Sequence, residues 1–120
     1  MSAAALRATQ AQPPELLDQL ARLHKALADH LRLQILRLLK NESFGVLELC
    51  RILDIRQSAL SHHLKILATN HLVSTRREGN SIFYRRAFLC DEDSYREIKK
   101  DVFETIDDLP LANTQRKKMK

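Results

Sequence analysis

The chain has little of what enzymes and membrane proteins are built from: two glycines, three prolines and no tryptophan in 120 residues. Two glycines leave no room for a phosphate-cradling loop or a dinucleotide-binding turn, and no GxSxG sequence positions a nucleophile. No apolar run approaches the roughly 20 residues that span a bilayer. No short apolar block follows basic residues near the first methionine, as a secretory leader would require. The two cysteines, Cys50 and Cys90, lack CxxC spacing and make no disulfide framework. These absences point away from an enzyme, a membrane protein or a secreted domain. They imply a reducing, cytoplasmic setting without a cofactor.

Leu, Ala, Lys and Arg are plentiful, which favours helix, and 120 residues suffice for one domain with a modest core. The charge is unevenly placed. Between residues 55 and 90, Arg56, Lys65, Arg76, Arg77, Arg85 and Arg86 face the single acid Glu78. Between 91 and 109 eight acidic residues outnumber Arg96, Lys99 and Lys100. A basic middle beside an acidic end suggests polyanion binding by the first and a separate task for the second.

Hydrophobic spacing sets the expected order. Residues 1–12 read as a flexible arm that ends at Pro13-Pro14. Leu16, Leu20, Leu23 and Leu27 recur at helical spacing, and Asp29 can cap a second helix carrying Leu31, Ile35, Leu38 and Leu39. Residues 41–45 read as a connection, 46–53 as a short helix, 54–56 as a turn and 57–69 as a fourth helix. Strands over 72–77 and 81–87 flank Gly79-Asn80, a hairpin signal. Ser94 and Glu97 fit a capping box for a last helix with Tyr95, Ile98, Val102, Ile106 and Leu109 on one stripe, stopping before Pro110. Residues 13–109 thus form one domain, and 110–120 a basic flexible tail. The fold is mostly α with a small antiparallel β-hairpin, in the order α-α-α-α-β-β-α: a winged helix-turn-helix.

In the fourth helix Leu60, Leu64 and Leu67 face inward, and Gln57, Ser58, Ser61, His62 and Lys65 face outward. A mixed amide, hydroxyl, imidazole and ammonium face suits base edges in a DNA major groove. Arg56 stands at the helix start. His63 lies on the inner side and is expected to be a partly buried ring hydrogen-bonded to backbone. The hairpin carries Arg76, Arg77 and Arg85 for phosphates, with Asn80 at its tip. Strand alternation allows about two of its four arginines to meet a duplex together. The competing reading is a winged helix that docks a protein partner without specific DNA binding. Salt separates the two, because phosphate neutralisation makes DNA binding strongly salt-sensitive.

Three stretches, LHKALADHLRLQILRLL at 23–39, LELCRILDIRQSALSHHLKIL at 47–67 and HLVSTRREGNSIFYR at 71–85, resemble the ArsR/SmtB-type family of small bacterial transcriptional repressors. The resemblance covers about 23–88. It implies a homodimer joined through its first and last helices, and two recognition helices in successive major grooves of a palindromic operator. It also implies repression relieved by an inducer. Carried over by position, Gln57, Ser58, Ser61 and His62 would face bases, and Arg77 and Asn80 would belong to the wing.

The chain departs from the family's two commonest metal sites. Aligned on Ser61-His62-His63-Leu64, Gly45 and Leu47 stand where one site has Cys-x-Cys, and Cys50 matches neither position. No histidine follows His71, so the imidazoles of the other site are missing. No metal is expected at either. A thiol switch between Cys50 and Cys90 stays open, as does an unidentified small-molecule inducer. The stripes Leu16/Leu20/Leu23 and Ile98/Val102/Ile106 would leave apolar surface bare in a monomer, so a homodimer is expected.

Overall fold

The computed structural model describes residues 2–3 and 14–110. Most of the expected arm and the basic tail beyond Pro110 lie outside the described residues.

Helix α1, Pro14–Leu27, buries Leu23, Ala26 and Leu27. Asp29 then takes an extended backbone, and its carboxylate accepts the Arg32 N–H at 3.0 Å, which starts α2, His30–Leu38. Ile35, Leu36 and Leu39 from this segment are the centre of the core.

The 41–45 connection holds a short strand, β1, Phe44–Gly45, which runs straight into α3, Val46–Leu53. The Gly45 N–H donates to Glu48 Oε1 at 2.9 Å, fixing the start of α3. Two residues carry too little alternation to be read as a strand; pairing with the hairpin creates this one. Helix α3 stops at Asp54, whose left-handed φ of 54° turns the chain sharply. Helix α4 follows over Gln57–Thr69, with the bounds its periodicity predicts.

The end of α4 is a Schellman turn. Leu72 N–H bonds to Leu67 O at 2.9 Å and His71 N–H to Ala68 O at 3.0 Å. Leu72, fully buried, clamps the turn to the core. Strands β2, Val73–Glu78, and β3, Ser81–Arg86, pair antiparallel with Glu78 opposite Ser81, so Gly79-Asn80 is a two-residue loop. Gly79 adopts φ +61°, which a glycine supplies without steric cost. The sheet order is β1-β3-β2, one strand more than the expected hairpin.

The last helix, α5, spans Arg96–Asp108, without the expected Ser94/Glu97 capping box. Asp93 takes that place: Oδ1 accepts the Tyr95 N–H at 2.8 Å and Oδ2 accepts Lys99 Nζ at 2.5 Å. An aspartate two residues before Tyr95 can also hold the buried Lys99 ammonium, which Ser94 cannot. Helix α5 buries Phe103 and Ile106 with the core. Tyr95 Oη donates to Leu16 O at 2.5 Å, tying its start to α1.

Candidate nucleic-acid interface

Helix α4 has two unlike sides. Leu60, Leu64 and Leu67 are 0–1% exposed; burying such side chains contributes about 1.5–3 kcal/mol each. The opposite side shows two rows at i, i+4 spacing, Gln57/Ser61/Lys65 and Ser58/His62, all exposed. Among the described residues, none of the five side chains makes a hydrogen bond or ion pair within the protomer. Their donors and acceptors are free for another molecule. Arg56, at the helix start, is exposed and forms no side-chain cap.

A polar junction fixes the inner side. Arg32 donates from Nε to Ala26 O at 2.7 Å, from Nη2 to Lys25 O at 3.0 Å and from Nη1 to His63 Nδ1 at 3.0 Å. One guanidinium thus links the end of α1, the start of α2 and the middle of α4. The expected backbone partner of His63 is replaced by this side chain. Because a guanidinium only donates, Nδ1 accepts and the neutral ring carries its proton on Nε2. Burial holds the His63 pKa below its ordinary 6.5; the nearby Asp29 carboxylate opposes the shift and Arg32 adds to it. The neutral ring is favoured in the fold, so its contribution to stability is complete above 6.5 and is lost as pH falls through the lowered value. Denaturant titrations between pH 8 and 5 are expected to show this loss, and a His63→Asn variant to show less of it.

The hairpin sorts its arginines by face. Arg76 stands opposite Phe83 and Arg85 opposite Ser74; Arg77 and Arg86 pair with Ile82 and Val73 on the other face. Arg76 lies 5.5 Å over the Phe83 ring and 3.5 Å from Glu78. Arg85 Nε donates to Ser74 Oγ at 3.3 Å. Arg76, Arg77, Asn80 and Arg85 are all exposed.

Arg86 is withdrawn from the wing. Its Nη2 and Nε reach Leu36 O at 2.6 and 3.2 Å, and it holds Asp107 in a bidentate pair at 2.9 and 3.0 Å. It also lies 4.5 Å over the Phe103 ring. One signal was present in the sequence: Arg86 alternates onto the face of Tyr84, at the end of the strand away from the turn, where a charge that is buried needs a partner. Arg77, on the same face but next to the turn, stays exposed.

The expected dimer residues divide. Leu23 and Ile106 are spent in the protomer core, at 2% and 5% exposure, whereas Leu16 is 41% exposed. Leu20, Ile98 and Val102 are half-buried. Leu17, on neither stripe, and Leu109, at the end of the last-helix stripe, are more exposed than Leu16. Cys50 is half-buried against the core, Cys90 is exposed, and both are free thiols. Among the described residues no group of three or more His, Cys, Asp or Glu side chains is placed to hold a metal, and no helix is long and apolar enough to cross a membrane.

Residues 29–75, from the α2 cap to β2, match the arsR family of bacterial regulatory proteins. The chain is 35% identical over 81 residues to a transcriptional repressor SmtB homolog of Synechocystis, a match covering 68% of this chain and 61% of that one. It is 47% identical over 60 residues to the transcriptional activator HlyU of Vibrio cholerae, covering 50% of this chain and 56% of HlyU. The chain therefore spans about three-fifths of the length of these curated relatives. A solved homodimeric winged helix-turn-helix DNA-binding domain from Mycobacterium bovis, a possible ArsR-family regulator, superposes with a TM-score of 0.64. Its identity is 33%, over 80% of this chain and 84% of that domain. Shared sequence from the α2 cap to the wing, and a shared fold beyond it, make this chain a member of the arsR family of bacterial regulatory proteins.

Proposed function

We propose that the chain is a cytoplasmic, sequence-specific DNA-binding transcriptional regulator that grips a palindromic operator as a homodimer and acts as a repressor. One observation carries the reading: the Gln57/Ser58/Ser61/His62/Lys65 side of α4 is exposed and unspent, beside a wing whose Arg77 is exposed and, among the described residues, makes no hydrogen bond or ion pair. Gln57 suits an adenine edge, the serines several bases, and Lys65 guanine or phosphate. Arg77 and Asn80 reach flanking backbone. Repression follows wherever the operator overlaps a promoter.

Arg77→Ala is expected to weaken binding to all sequences alike and to reduce the salt slope by about one. Affinity measured over a salt series checks both; an unchanged slope would remove Arg77 from the phosphate contacts. The dimer is proposed to form through Leu16, Leu17 and Leu20 of α1 with Ile98 and Val102 of α5. Light scattering at micromolar concentration should give twice the chain mass.

A further inference from the structure

A cleft of about 720 Å³ lies between α1, the end of α4, the foot of the hairpin and the 87–95 loop. That volume suits a small molecule. Three side chains from different elements line it: Arg22 of α1, His71 of the Schellman turn and Arg85 of β3. Among the described residues Arg22 has no hydrogen bond or ion pair, and Arg85 holds only Ser74. Of the acidic lining, Asp93 is already taken by Lys99 and the Tyr95 N–H, which leaves Glu92 exposed at the rim. Phe88 also lines the cleft and is 82% exposed.

His71 is the odd member. It occupies the position of a Schellman turn where glycine is the usual residue, at φ +55°. A side chain there costs strain, and strain of this kind clusters at ligand sites. Here the strained residue presents an imidazole to a cleft with two underused guanidinium groups.

We propose that this cleft binds a small organic anion with an apolar body, its carboxylate held by Arg22, His71 and Arg85 and its apolar part laid against Phe88. Arg85 belongs to both the cleft and the wing, so the anion and DNA compete for it. This coupling rests on the DNA-binding reading above; occupation of the cleft does not.

The test titrates phenylacetate, and octanoate as an aliphatic counterpart, into the full chain without DNA, followed by calorimetry. The expected result is saturable binding of at least one acid, one site per protomer, with phenylacetamide much weaker than phenylacetate. Arg22→Gln and His71→Gly should each weaken binding about tenfold. His71→Gly should melt at the same or a higher temperature, which separates loss of the ring from loss of the fold. Absence of saturable binding by both acids, or binding indifferent to both substitutions, would overturn the site. With operator DNA present, the acid should lower DNA affinity by the factor by which DNA lowers acid affinity. Undiminished DNA affinity with the acid bound would overturn the coupling. A chain that fails to hold DNA without any acid would indict the DNA reading instead.

Discussion

Replacing Arg86 by alanine is expected to cost about 3–5 kcal/mol, the range for removing one partner of a buried ion pair. The Arg86 and Asp107 side chains are 12% and 13% exposed. The substitution strands the Asp107 carboxylate, frees the Leu36 carbonyl at the end of α2, and removes the cation over Phe103. Urea denaturation measures the loss.

The pH dependence supplies an independent sign. The Arg86 hydrogen bond holds the Asp107 pKa below its ordinary 3.8; burial opposes it and the Arg86 charge adds to it. A depressed carboxylate contributes stability that is present above 3.8 and lost as pH falls through the folded value. In Arg86→Ala this Asp107 contribution should disappear or change sign, because desolvation then dominates. Arg86→Met with Asp107→Leu should recover much of the lost stability, since an apolar pair of similar volume can replace a buried ion pair. A loss below 1 kcal/mol in the single variant would show that the pair is not what joins β3 to α5.

Arg86 also marks the limit of reading this chain from its sequence. As one of four hairpin arginines it looks like a phosphate contact, and its withdrawal depends on Asp107, 21 positions away and on another element. Alternation along β3 narrows the choice without making it. The same limit explains His63, whose partner Arg32 lies 31 positions earlier. It explains β1 too, because Phe44-Gly45 becomes a strand only by pairing with Tyr84 and Phe83. At residue 94 the local capping pattern is outcompeted by Asp93, which satisfies both the Tyr95 N–H and Lys99.

Helix α4 is the opposite case. Its bounds, its buried leucines and its solvent face follow from a 3.6-residue period over one uninterrupted segment, with Asp54 ending the helix before it and Asn70 capping its own C-terminus. The Gly79 turn was legible for the same reason: backbone and residue type agree locally.

The second large effect concerns that helix. Ser61→Glu is expected to reduce DNA binding roughly a hundredfold, about 2.7 kcal/mol, because a carboxylate facing the groove repels phosphate and presents no donor to an acceptor edge. Ser61 is exposed and central, and Glu is the better helix former, so melting should be unchanged. Ser61→Ala and His62→Ala should instead alter which sequences are preferred, at about 1–3 kcal/mol of discrimination per base contact. Fluorescence anisotropy with labelled duplexes reads both. A Ser61→Glu protein that binds as tightly as the parent would place DNA on some other surface.

The decisive measurement is competition, at physiological salt, between the duplex that the intact chain selects from a random pool and unselected DNA of equal length. A two-sided grip by paired α4 helices should favour the selected duplex by about a thousandfold or more. The selected sequence should be an inverted repeat with half-site centres roughly 10 base pairs apart. Equal affinity for both duplexes would contradict the assignment of α4 as a reader of sequence.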